Sequence, residues 1–400
     1  MKILVLNAGS SSHKSCLFDL SCPADGPAPS PLWRAALDWT HQQGSVELIA
    51  RGAGDKLQQM LPITDKVAGI EAMINTLVSG PTQVLDSLAD VDVVGHRVVH
   101  GGRDYIDAVR VDEAVKTAIC QLIPLAPAHN PANLQGIEAI EQLLGNVPQI
   151  ATFDTAFHAR MPDAASAYPG PYTWMEQGIR RYGFHGISHR YVAQRAAEIV
   201  GRDIAELKIL TCHLGNGCSL AAVKGGISID TTMGFTPLDG LMMGSRSGSV
   251  DPGILIYLMR QDGCGADQLD SLLNKESGLK GLSGLSNDMR TVVEAMEQGN
   301  VQAKLAVDVF IHRLRREMGA MIASLRGLDI VVFTAGIGEN SPLVWQRACE
   351  PFDFLGLKLK ESLDKSSKDQ DIAAVDSTVR SLVIHTQEEW AIAQTCVALI

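Results

Sequence analysis

Apolar runs and small polar turns follow one another along this chain, and one arrangement of them occurs twice. Ile3–Leu20 reads as an apolar run, a small polar turn and a second apolar run, which predicts a β-hairpin. Lys208–Val223 repeats the layout about half a chain later. The first turn offers Asn7, Gly9, Ser10, Ser11, Ser12 and Lys14, and the second offers His213, Gly215, Asn216, Gly217 and Ser219. Glycines let the backbone come close to a ligand, and free N–H groups and hydroxyls in such turns form an anion-binding concavity. Two such hairpins in a duplicated chain predict two halves that face one phosphate chain.

The pattern between and after the hairpins predicts further elements. Ile70–Ser79 reads as a helix, Val91–Gly102 as a buried strand ending in glycines, and Val111–Leu122 as a helix. A Pro-punctuated loop (Pro124–Asn133) leads to a helix through Leu144, and Pro148–His158 reads as a strand ending in a polar loop. The domain boundary is expected there: residues 1–150 with 385–400 form one domain and 151–384 the other. Val301–Leu325 predicts a long amphipathic helix for core packing or a subunit contact, with Leu305, Val309, Leu314, Met318, Ile322 and Leu325 on one face. Asp329–Ala348 reads as strand, glycine turn and helix, and Ser381–Leu399 as strand then helix. Thr386 and Glu389 fit a capping box, which leaves Glu388 free to point elsewhere. The Pro-rich stretch from Ser21 to Trp33 reads as an exposed loop at the sheet edge, and Lys358–Ile372 is polar and weakly patterned.

Four hundred residues exceed one ordinary core, in keeping with two domains. The net charge of −11 argues against nucleic acid or a membrane surface as main partner. In an acidic protein that binds a polyanion, Arg and Lys inside glycine-rich motifs gain weight. The start, MKILVLNAG, is too short and strand-like for a signal peptide, and no apolar run reaches membrane-spanning length. The eight scattered cysteines form no C-x-x-C pair and read as reduced, small, mostly buried residues of a cytoplasmic protein.

Several motifs carry chemistry. Phe333–Asn340 (FTAGIGEN) follows an apolar strand and opens a helix, a turn that suits a phosphate or nucleotide although it matches neither the Rossmann nor the P-loop spacing. Arg97 lies mid-strand between His96 and His100, either in a structural ion pair or as a clamp for a carboxylate or phosphate. Arg246 sits among glycines and serines, either as an exposed loop residue or placed for close approach to a ligand. Asp154 ends a strand, where sites of α/β proteins collect, but could equally be a cap. His185 has flanking glycines nearby and His129 has prolines, and both are candidates for ligand contact.

Ten ordered motifs then point to one family. NAGSSSHK, GHRVVHGG, LAPAHNPAN, FDTAFH, YGFHGISH, HLGNGCS, MGSRSG, SNDMR, AGIGEN and TQEE occur in the order seen in acetate kinases and the similar propionate kinases, across essentially the whole chain. The resemblance implies an α/β fold of two duplicated actin-like ATPase domains, each a mixed sheet flanked by helices, with an interdomain nucleotide cleft and a homodimeric assembly. It implies ATP or ADP as co-substrate, acetate or propionate as acyl substrate, and Mg2+, with Mn2+ as a substitute. By motif, Asn7 and Glu388 resemble the metal-associated pair. Lys14, His213, Leu214, Gly215, Asn216, Gly217, Asp288, Met289, Arg290, Gly336, Ile337, Gly338, Glu339 and Asn340 resemble nucleotide contacts. Arg97 resembles the ligand of the substrate carboxylate, with His129 and Phe184 lining the same site. Asp154 resembles the essential acid, and His185 and Arg246 resemble stabilisers of the transferring phosphoryl group.

The chain departs from the family pattern at Ser249, where Asp is frequent, Ile187 for Thr, Ala128 for Leu, and Gln387 for Asn or Asp. Ala128 bears on acyl-chain preference rather than on activity. A carboxylic acid with a pKa of about 4–5 is already ionised at neutral pH, so no general base is needed. Asp154 is therefore expected to orient magnesium or its waters and to take no proton. Two rivals remain open at this stage. One is a sugar or butyrate kinase of the same superfold, and the other a non-catalytic nucleotide switch.

Overall fold

The computed structural model describes residues 1–9, 12–20, 28–40, 44–361 and 369–400. Ser10 and Ser11 of the first turn, residues 21–27 of the Pro-rich stretch and residues 362–368 lie outside the described residues. The chain forms two units, Met1–Phe157 with Gln387–Ile400, and His158–Thr386.

Among the described residues the first unit holds eight strands: β1 Lys2–Ala8, β2 Ser12–Asp19, β3 Trp33–Asp38, β4 Val46–Gly52, β5 Asp55–Leu61, β6 Val93–Val98, β7 Val109–Arg110 and β8 Gln149–Phe153. They lie in the order β5-β4-β3-β2-β1-β6-β8-β7. The second unit holds β9 Lys208–Leu214, β10 Cys218–Lys224, β11 Ile227–Thr231, β12 Ile330–Thr334, β13 Gln370–Asp371 and β14 Arg380–Val383, in the order β11-β10-β9-β12-β14-β13. The repeat seen in the sequence is a repeat of topology. In each unit an antiparallel meander, β1-β2-β3 or β9-β10-β11, is joined through its first strand to two parallel strands, β6 and β8 or β12 and β14. Both sheets are thus mixed, as the family resemblance implies.

The parallel strands are almost wholly buried because both faces are covered. In the first unit, Leu4, Leu6, Leu17, Trp33, Leu37, Leu48 and Val94 form one core with Ile70, Met73 and Ile74 of the helix Lys66–Asn75 and Ala139 and Ile140 of the helix Asn130–Leu144. On β6, Gly95 admits the helix Glu388–Leu399. A Cβ there would lie 2.6 Å from Ile392 Cγ2 and 2.7 Å from Cys396 Sγ, so only glycine lets that helix lie so close to the strand.

Three expectations need correction. The meander strands β3, β4 and β5 extend the first sheet through a region where the apolar pattern named no strand. The helix Val301–Leu325 buries Ala303, Ala306, Val307, Phe310, Ile311, Leu314, Met318, Met321, Ile322 and Leu325, whereas Leu305 is 53% exposed. Ala303, Ala306, Val307, Phe310 and Ile311 make the stronger apolar stripe at helical spacing and turn Leu305 outward. The capping box at Thr386 is absent as well. The helix starts at Glu388 with Gln387 as N-cap, because the Thr386 hydroxyl lies 2.9 Å from Ser188 Oγ and its N–H donates to Glu339 Oε1 at 3.0 Å.

Candidate active site

Parallel strands deliver their carboxyl ends to one edge, and in the first unit that edge is polar. Asn7 lies near the end of β1, Arg97 near the end of β6, and Asp154 directly after β8. Each nitrogen of the Arg97 fork donates to a neighbour, which uses three of its five N–H groups. Nε donates to both Asp154 oxygens at 3.1 Å, Nη2 to Oδ2 at 2.5 Å, and Nη1 to Asn7 Oδ1 at 3.2 Å. Arg97 is 20% exposed and Asp154 2%, so the pair is largely desolvated. Burial works against the Arg97 charge, but Asp154, Glu388 and Glu389 outweigh it and strengthen its hold on its proton. Of the two readings of Arg97, the ion pair is the one present, with Asp154 as its partner. Both Asp154 oxygens accept hydrogen bonds from Arg97.

Glu388 opens the C-terminal helix. Burial pushes its carboxyl up to about 7, Arg97 and Lys14 oppose that shift, and Asp154 and Glu389 add to it. Lys14 is exposed on β2, in register with Asn7. His129 is the half-buried N-cap of the helix Asn130–Leu144. The same helix contributes two residues the sequence did not single out. Asn133 accepts from Val99 N at 3.0 Å and donates to Ala8 O at 2.6 Å, so it ties the ends of β6 and β1 together. Asn130 exchanges hydrogen bonds with the backbone of His100, at 3.1 and 3.2 Å. Their signal was present in the LAPAHNPAN loop, but nothing in it named their partners.

In the second unit, polar side chains gather around the β9–β10 turn. His185 precedes the helix Gly186–Val200 in the left-handed conformation (φ 57°, ψ 24°), a cost carried by a non-glycine residue that fixes where its ring points. The ring stacks on His213 of β9, with centroids 4.1 Å apart. His213 Nδ1 lies 2.8 Å from Ser188 Oγ. A Cβ on Gly217 would lie 3.5 Å from both His185 Nε2 and Arg246 Nη1, so these two nitrogens converge over a backbone that carries no side chain. Arg246 donates to Pro237 O at 2.9 Å and approaches Met243 Sδ at 3.8 Å. It forms no ion pair with a carboxylate among the described residues. Burial accordingly weakens its hold on its proton. A desolvated guanidinium with no acidic partner is costly unless an anion binds it.

Beside that turn lies a pocket of about 810 Å3 lined by Gly215, Asn216, Asp288, Met289, Arg290, Gly336, Ile337 and Asn340 among others. Eight of the residues expected at the nucleotide therefore share one cavity of nucleotide size. The helix Met289–Glu297 supplies Arg290, Val293, Glu294 and Glu297 to it, a stripe at helical spacing that sequence reasoning passed over. Asp288 caps this helix and pairs with Arg290 at 2.6 Å.

Other expected residues stand behind these surfaces. Leu214 and Phe184 are buried, at 0% and 1% exposure. Gly338 is buried and accepts from Trp345 Nε1 at 2.6 Å. Glu339 faces inward, where Oε1 accepts from the backbone N–H groups of Ala335 at 2.9 Å and Thr386 at 3.0 Å and holds the glycine turn in shape. Burial alone would raise the Glu339 carboxyl, but His385 and these N–H groups hold it below its usual range. Ser249, at a position where the family often has Asp, donates to Asp239 at 2.6 Å, and Ala128 is exposed.

The family model described as the acetokinase family matches residues 2–394. An acetate kinase of Trichormus variabilis is 59% identical over 401 residues, covering 99% of this chain and 98% of that protein. One from Nostoc punctiforme is 60% identical over 401 residues, with the same coverage. Among solved structures, acetate kinase of Porphyromonas gingivalis superposes with a TM-score of 0.91 at 38% identity, covering 100% of this chain and 99% of that one. A propionate kinase of Francisella tularensis gives a TM-score of 0.90 at 36% identity over 100% of both chains.

Proposed function

This chain belongs to the acetokinase family, and from that we propose that it is an acetate kinase, a phosphotransferase that reversibly moves a phosphoryl group from ATP to acetate, giving acetyl phosphate and ADP. The observation that carries this reading is the largely desolvated Arg246, which has no carboxylate partner among the described residues and converges with His185 over Gly217 beside the pocket. Phosphoryl transfer calls for positioning and charge neutralisation more than for covalent chemistry. Arg246 and His185 bear on the phosphoryl oxygens, where preorganised donors matter most. Arg97, held flat by Asp154, presents its remaining edge and its charge to the acetate carboxylate. The acceptor is already ionised, so no residue has to remove a proton from it.

The residues present fit Mg2+. Asn7 and Glu388 offer oxygen donors, and no cluster of three or more His, Cys, Asp or Glu among the described residues suits a metal. Mg2+ keeps several waters and shares its remaining positions between one or two protein oxygens and substrate phosphates, which matches so sparse a set. When bound, it neutralises charge on the nucleotide phosphates.

Glu388 gives this proposal a pH signature. A carboxyl raised to about 7 must lose a proton to hold a cation, so metal affinity is full above that pH and falls below it. Titration with MgADP is expected to release a proton below neutral pH and to lose about tenfold in affinity per pH unit there. Glu388→Gln should abolish the proton release. The sign for stability is opposite. A raised acid binds its proton more tightly folded than unfolded, so this group's contribution falls as pH rises from about 4.5 to 7.

We further propose a homodimer. The helix Pro252–Gln261 buries none of its residues, although Ile254, Tyr257 and Met259 are 49%, 63% and 53% exposed, and Leu282 and Leu285 add apolar surface in the same unit. Sedimentation should find twice the chain mass. No helix among the described residues is long and apolar enough to cross a membrane, and the free thiols favour the reducing cytoplasm.

Initial rates of acyl phosphate formation, trapped with hydroxylamine for acetate, propionate and butyrate, test the reading. Acetate is expected to give the highest kcat/KM, with propionate lower by no more than about 10–200-fold, the worth of one methylene. A preference for propionate would reassign the acyl group, and no product from any of the three would overturn the proposal.

A further inference from the structure

His185 is joined to the interior of its unit through three side chains. Its Nδ1 lies 2.8 Å from Ser219 Oγ, the same oxygen lies 2.8 Å from His189 Nε2, and His189 Nδ1 lies 2.7 Å from Thr211 Oγ1. Ser219, His189 and Thr211 are completely buried. Each hydroxyl carries one proton, and so does each neutral imidazole. The chain of groups therefore has two polarities. In the first, Thr211 donates to Ala221 O, His189 Nδ1–H to Thr211, Ser219 to His189 Nε2, and His185 Nδ1–H to Ser219. Neutral His185 then has only a lone pair at Nε2. In the second, Thr211 donates to His189 Nδ1, His189 Nε2–H to Ser219, and Ser219 to His185 Nδ1. Neutral His185 then carries its proton on Nε2.

Distances favour the second. Thr211 Oγ1 is 3.4 Å from Ala221 O, at the limit of a hydrogen bond, and only 2.7 Å from His189 Nδ1. Burial, with His158 and His213 adding to it, holds His189 well below its usual range, so this ring has one proton to give. Among the charged and titratable groups that face His185 are Arg246 and the stacked His213. A second positive charge beside Arg246 is disfavoured. His185 Nε2 and Arg246 Nη1 also converge over Gly217, where a phosphoryl oxygen would be met by both.

We propose that Thr211, His189 and Ser219 form a hydrogen-bond relay that holds His185 as a neutral imidazole with its Nε2–H directed at the transferring phosphoryl group. The relay rests on the phosphoryl-transfer reading of this site. Its three members are positioning residues, and no proton moves along it during the reaction. A neutral imidazole can serve as an electrophilic donor when its surroundings keep it unprotonated.

Long-range proton–nitrogen NMR correlation on intact, histidine-labelled protein reads the tautomers directly, with His185→Gln and His189→Gln assigning the signals. Near neutral pH both rings are expected to be neutral with the proton on Nε2. Protons on Nδ1 of both rings, or a doubly protonated His185, would overturn the relay. Ser219→Ala removes the hydroxyl and Ser219→Thr keeps it. The alanine variant is expected to lose about 10–100-fold in kcat, as outer-shell partners do, with KM for ATP within about twofold. Its His185 should take up a proton at higher pH than in the unaltered protein, because the O–H that favoured the neutral ring is gone. Ser219→Thr should restore both the rate and the His185 titration. A Ser219→Ala protein whose His185 titrates as in the unaltered protein would count against the relay. Unaltered protein that shows the expected tautomers but forms no acyl hydroxamate would leave the relay standing and remove the kinase reading.

Discussion

Arg246→Ala is expected to lower kcat for acetyl phosphate formation by about 10³- to 10⁵-fold, the range in which a guanidinium acting on a transferring phosphoryl group falls. Thermal stability should be unchanged or higher. Arg246 has no carboxylate partner among the described residues, and its removal costs a hydrogen bond to Pro237 O and a contact with Met243. It also relieves a charge that burial disfavours. Arg246→Lys restores the charge but not the planar fork, so it should recover only a small part of the rate. Steady-state kinetics and a melting curve check both halves. A rate within about tenfold of the unaltered protein would move the charge-stabilising role elsewhere.

The second large effect concerns Arg97 and Asp154. Each single alanine variant leaves one desolvated charge without its partner, which costs about 3–5 kcal/mol of stability. The double variant removes both charges and should be about 1–3 kcal/mol more stable than the sum of the singles. Activity should behave differently, with all three variants inactive, because the carboxylate ligand is missing or loose in each. Denaturant unfolding and the hydroxylamine assay separate the two roles. Asp154→Asn tests the magnesium role expected from the sequence. Because Arg97 occupies both Asp154 oxygens, its defect should persist at excess magnesium. Rescue by the metal would assign Asp154 to the metal instead.

Much of the site was legible before the structure, and what was legible was local. The glycine turns, the strand that carries Arg97 and the strand that ends at Asp154 all follow from apolar runs and turn residues within a few positions. The expected nucleotide residues from Gly215 to Asn340 include eight that line one pocket. Glu339 and Leu214 belong to the same motifs yet support the turns from inside. A motif records which residues travel together, not which of them face a ligand. The capping box failed for a related reason. Its local pattern was sound, but Ser188, far away in sequence, holds the Thr386 hydroxyl.

The sequence by itself determined the duplicated hairpins, the mixed α/β architecture, the family and the identity of the polar residues at the strand ends. Periodicity and turn chemistry act over a few residues, and a repeated motif needs no knowledge of its surroundings. Only the tertiary structure decided the partners. The register between β6 and β8 brings Arg97 to Asp154, 57 residues away, and Asn133 reaches back 125 residues to Ala8. The β9–β10 register and the helix Gly186–Val200 together align Thr211, His189, Ser219 and His185. Hydrogen bonds and ion pairs are short-range and directional, so their energies are set by tenths of an ångström that strand register and helix packing fix, and that no local pattern encodes.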